Sequence, residues 1–99
     1  QLRQVRLQLT QATTSLWENI SARRLALNAA QRAEAAASLA AEGSLKEYDA
    51  GLRTLVDTLD AENEYRDAEL QSLRAETELR IAEAQLLSLS SELEAALLP

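Results

Sequence analysis

The chain contains no cysteine, histidine, methionine or phenylalanine. Without cysteine there is no disulfide framework, and without cysteine or histidine the usual ligands of a zinc site are missing. Acid–base catalysis by histidine is excluded with them. Glycine occurs twice and proline once, so turn and breaker signals are scarce. Aromatic residues make up only 3% of the 99 residues, too few to anchor a compact globular core. No apolar run approaches the roughly 18 residues of a membrane span. No basic segment followed by an apolar stretch marks a secretory leader, so the chain is either cytosolic or cut from a larger precursor. The helical pattern is already under way at Gln1, without a capping residue, which suggests a fragment.

What remains is alanine, leucine and charge. The AVILMFWYC set amounts to 46%, much of it alanine. Ten Lys and Arg face sixteen Asp and Glu, for a net charge of -6. This acidic balance argues against a nucleic-acid partner. The charge is unevenly spread. Residues 1–54 carry 7 basic and 5 acidic groups, a net of +2, whereas residues 55–99 carry 3 and 11, a net of -8. Such a composition points to long helices, with halves of opposite sign suited to antiparallel pairing.

Two turn candidates sit mid-chain, Gly43-Ser44 and Asp49-Ala50-Gly51. The second is the better reversal. Gly51 can take the left-handed conformation that ends a helix. Thr54 can cap the next helix, with Asp57 and Asp60 near its start, where the helix dipole favours anions. Gly43 is tolerable inside a helix at a cost of about 1 kcal/mol relative to alanine. The expected fold is all-α: a long antiparallel two-helix coiled-coil hairpin over residues 1–99. Helix one covers about 2–50, the turn about 51–53 and helix two about 54–97.

Helix two carries a heptad seam of Ala61, Tyr65, Ala68, Ser72, Ala75, Leu79, Ala82, Leu86, Leu89, Leu93 and Ala96. A second set, Leu70, Leu73, Thr77, Ile81, Ala84 and Leu87, lies on the opposite side. Two flanks between them are acidic or amidic, through Glu62, Glu69, Glu76 and Glu83 on one side and Glu64, Gln71, Glu78, Gln85 and Glu92 on the other. A lone hairpin needs one apolar stripe per helix. Two opposed seams with two wet flanks suit a wall one helix thick, which closes into a hollow cylinder. A three- or four-helix bundle with a wide seam satisfies the same pattern. Helix one is expected to pack through Leu2, Val5, Leu9, Ala12, Leu16, Asn19, Arg23, Ala26, Ala30, Ala33, Ala37 and Ala40, with Trp17, Leu25 and Leu39 as a less clear second seam.

The reversal reads Tyr48-Asp49-Ala50-Gly51-Leu52-Arg53-Thr54-Leu55-Val56-Asp57-Thr58-Leu59-Asp60-Ala61. This resembles the Y-x-x-G-x-R-T-x-x-D-x-L-D-A segment of the TolC family, outer-membrane channel components of efflux pumps and type I secretion systems. In that family the segment is the periplasmic turn of the second coiled-coil hairpin. Long alanine-rich helices flank it there too, so the resemblance extends over most of the chain, although only the turn is specific. It implies a fragment of an α-helical barrel, built by a homotrimer in the periplasm of a Gram-negative bacterium. Membrane contact would come only through β-barrel segments that this chain lacks, and the chain has one of the two hairpins.

The resemblance also implies roles. Asp57 and Asp60 match aspartates that ring the tunnel entrance and attract cations; both also suit the start of helix two as capping anions. Tyr48 and Arg53 match gate residues that bond a neighbouring hairpin, and without that neighbour they are expected to be solvated. Gly51, Leu52, Thr54 and Leu55 match the tip where a periplasmic adaptor protein docks, and Gly51 serves the turn in either case. A free-standing antiparallel coiled-coil module, such as an adaptor hairpin or scaffold segment, needs only the seams. An enzyme is not expected, because the carboxylates lie on open helix faces without His, Cys or a glycine-rich loop. No cofactor or metal is implied.

Overall fold

In the computed structural model, residues 1–97 are described; the last two residues of the expected hairpin lie outside that range. The protein is an all-α antiparallel hairpin. Helix α1 runs Leu2–Asp49 and helix α2 runs Leu55–Leu97. The hairpin measures 73 × 18 × 15 Å, so it is two helices wide and one helix thick.

Local sequence accounts for both helices. Alanine, leucine, glutamate, glutamine and arginine dominate them, all strong helix formers. Gly43 sits within α1 and does not break it. The break comes at Gly51, the one residue with a positive φ, +79°, among the described residues. Its N–H donates to the Tyr48 carbonyl at 2.9 Å, and the Leu52 N–H donates to the Glu47 carbonyl at 2.8 Å. These two bonds form a Schellman motif, which satisfies carbonyls left open at the end of α1. Thr54 then caps α2: its Oγ1 accepts from the Asp57 N–H at 3.2 Å, supplying a partner to an otherwise open donor. Thr58 Oγ1 donates to the Thr54 carbonyl at 3.0 Å, bracing the same turn.

The first seam of α2 turns toward α1. Ser72, Leu79 and Ala82 are buried, and Ala61, Tyr65, Ala68, Ala75, Leu86, Leu89 and Leu93 are half-buried. Ala96, near the open end, is exposed. The centre of the core is Ile20, Leu79 and Ala82, with Leu27 and Leu86 packed against them. Toward the turn the buried positions shrink to Ala41, Ser44 and Thr58.

The inward seam of α1 departs from expectation by one column. Leu9, Leu16, Asn19, Arg23, Ala30 and Ala37 do face α2, at least in part. The alternate positions are Thr13, Ile20, Leu27, Glu34 and Ala41, while Val5, Ala12, Ala26, Ala33 and Ala40 are exposed. The larger payload decides this. Burying Ile20 and Leu27 gains several times the apolar area of alanines, at about 25 cal/mol per Å². Leu2 is exposed as well.

Two ion pairs cross the hairpin, Arg23 with Glu78 and Arg24 with Glu83. They mark the height at which the helices pass each other. All four side chains are about a third or more exposed, so the pairs contribute little to stability.

Candidate functional site

Two regions of the surface stand out: the tip and the outward face of α2. At the tip, Leu52 in the turn and three apolar residues at the start of α2 lie outside the core. Leu52 is 80% exposed, and Leu55, Val56 and Leu59 are also exposed. These four make an apolar end surface rimmed by the carboxylates of Asp49, Asp57 and Asp60. Gly51 and Thr54, expected at a docking tip, lie at the same end and perform the turn and cap described above.

Asp57 and Asp60 are three residues apart in the first turns of α2, so they share one side of the helix. Both are exposed, and neither forms an ion pair among the described residues. Asp57 lies in the first turn, where its charge favours the helix N-terminus. Tyr48 is exposed in the last turn of α1.

Arg53 is not simply solvated. Its Nε donates to Glu47 Oε2 at 2.6 Å, so the loop is tied back to α1 by a charge-assisted hydrogen bond. The sequence did not link Glu47 to Arg53. Its partnership depends on the turn geometry, which brings position 53 back over the last turn of α1. Val56 and Leu59 were also missed as members of the tip, although their spacing from Leu52 and Leu55 carries the signal.

On the outward face of α2, Leu70, Leu73, Ile81 and Leu87 are 47%, 61%, 53% and 70% exposed. The second seam therefore has no partner within the hairpin. Shallow grooves run along it between Leu73, Thr77, Ile81 and Ala84. Among the described residues, no cluster of three or more acidic, His or Cys side chains is placed to hold a metal ion. No helix among them is long and apolar enough to cross a membrane.

No protein-family model matches the chain, no curated protein matches its sequence, and no solved structure matches it.

Proposed function

We propose that this hairpin is the periplasmic entrance element of a TolC-like outer-membrane export channel, serving efflux or type I secretion. In this reading it forms part of the tunnel wall, helps gate the entrance and docks a periplasmic adaptor protein. It acts by packing and charge and carries out no chemistry on the substrate. The observation that carries the proposal is the pairing of the specific turn segment with a hairpin one helix thick that has a bare outward seam. A wall element needs that second seam, because its neighbours lie beside it. The exposed apolar tip of Leu52 and Leu55 gives an adaptor hairpin something to bury. Asp57 and Asp60, both exposed and on one side of α2, would converge with their copies around the axis of a trimer.

One observation favours a second reading, a free-standing coiled-coil binding module. Arg53 has a partner inside the chain, Glu47, and needs no neighbouring hairpin to satisfy it.

The full-length parent protein separates the two. In a planar bilayer it should conduct, with conductance blocked by multivalent cations from the periplasmic side. Asp57→Ala with Asp60→Ala should abolish that block. Persistent block in the double variant rejects the aspartate ring, and a parent sequence without β-strand segments or a second hairpin favours the free-standing module.

A further inference from the structure

Toward the open end the helices pack less tightly than at the centre. Among the described residues, none beyond Ile20 and Ala82 on that side is fully buried. The crevice between the helices stays open there, in two stretches. The first, about 460 Å³, is lined by Arg6, Leu9, Thr10, Thr13 and Thr14 of α1 and Leu93 of α2. The second, about 260 Å³, shares Thr13 and Leu93 and runs on to Trp17, Leu86, Leu89 and Ser90. Positions 6, 10, 13 and 17 share one helical face, so the stretches form one groove, about 16 Å from Arg6 to Trp17.

The groove is apolar along its length. Thr10, Thr13 and Thr14 donate their hydroxyls to the carbonyls of Arg6, Leu9 and Thr10 at 2.8, 2.8 and 2.9 Å, so their side-chain donors are spent. Leu86, Leu89 and Leu93 are half-buried and Trp17 is exposed, which leaves apolar area for a ligand to cover. One charge stands at the end. Arg6 forms no ion pair among the described residues, and residues 1–17 hold no Asp or Glu. The acidic column of α2, Glu62, Glu69, Glu76 and Glu83, becomes Ser90 where it meets the groove. Glu83 is already paired with Arg80 and Arg24, and Glu94 lines neither stretch. The grooves on the outward face of α2 differ: one helix walls them, and they carry Arg and Glu together.

We propose that this groove binds a medium-chain fatty acid, with its carboxylate on the Arg6 guanidinium and its tail laid over Leu93 and Leu89 toward Trp17. A guanidinium takes a carboxylate through two parallel N–H···O bonds, and the slot beyond it accepts a single tail. A cationic head is repelled at the same place. The inference does not rest on the export reading.

Trp17 is the sole tryptophan, so its fluorescence reports on the groove. Titration of the 99-residue chain with decanoate, below its micelle threshold, should shift the emission to shorter wavelength and saturate. Dodecanoate should bind about fourfold tighter, as expected if each added methylene is half buried. Decyltrimethylammonium should not saturate. Arg6→Gln should weaken decanoate binding about tenfold and leave binding of neutral decyl maltoside unchanged. Thr14→Glu, on the exposed bank, should abolish decanoate binding with helicity intact, whereas Leu73→Glu, on the outward face of α2, should have no effect. Phosphatidylglycerol vesicles should leave Trp17 unmoved. A shift with vesicles would make the groove a membrane contact and overturn the proposal. So would the absence of saturation with decanoate, equal binding of the cationic tail, or equal loss in Leu73→Glu.

Discussion

Arg53 reaches back across the turn and donates its Nε–H to Glu47 Oε2 at 2.6 Å. The bond closes the loop over the Schellman motif at the end of α1, whose Glu47 carbonyl already accepts from the Leu52 N–H. Glu47 thus holds the turn twice, once through its backbone and once through its carboxylate. Both side chains remain nearly half exposed, which limits what the pair contributes. A double-mutant cycle with Arg53→Ala and Glu47→Ala, read by chemical denaturation, should give a coupling of about 0.2–1 kcal/mol that shrinks with added salt. A coupling well above that range would mean the pair is effectively buried by a neighbour.

Core and surface leucine-type residues should separate cleanly. Ile20 is 1% exposed at the centre of the hairpin, whereas Leu25 is 71% exposed. Ile20→Ala should cost about 2–4 kcal/mol through lost burial and a cavity. Leu25→Ala should stay within about 0.5 kcal/mol. Thermal melts followed by circular dichroism at low concentration make the comparison.

The two glycines should respond with opposite signs. A Cβ at either position meets nothing within 4 Å, so backbone conformation alone decides. At Gly51 the φ of +79° penalises any side chain, and Gly51→Ala should destabilise by about 1–2 kcal/mol. Gly43 is helical, and Gly43→Ala should stabilise by about 1 kcal/mol. Equilibrium unfolding of both variants checks the signs.

Ser44 is 2% exposed, and its Oγ has no hydrogen-bond partner. A buried, unpaired hydroxyl costs free energy that alanine does not. Ser44→Ala should therefore raise stability by about 1 kcal/mol, aided by alanine's helix propensity. A loss of stability on that substitution would show that the hydroxyl is bonded in solution.

Much of the fold was legible because local and global signals agree. Gly51 and Thr54 mark the reversal by distinct chemistries, a left-handed φ and a side-chain cap, and both act as read. The α2 seam was legible because leucines and alanines there alternate with glutamates on both flanks, leaving one register. In α1 the signal was degenerate. Alanines occupy two adjacent columns, 26, 33, 40 and 30, 37, so spacing alone does not select the inward one. Ile20 and Leu27, seven residues apart, select it by volume. Trp17, Leu25 and Leu39, sought as a second seam of α1, stay exposed, and so do Ala22, Ala29 and Ala36. The Arg53–Glu47 bond was not legible, since it depends on where a completed turn places two side chains six residues apart.

Under the proposed export reading this hairpin helps gate a channel, and ion conductance of the full-length parent protein in a planar bilayer reports on that gate. Tyr48→Phe with Arg53→Ala should raise single-channel conductance by freeing the tip from its neighbour. Conductance equal to that of the unmodified protein would contradict the gate assignment.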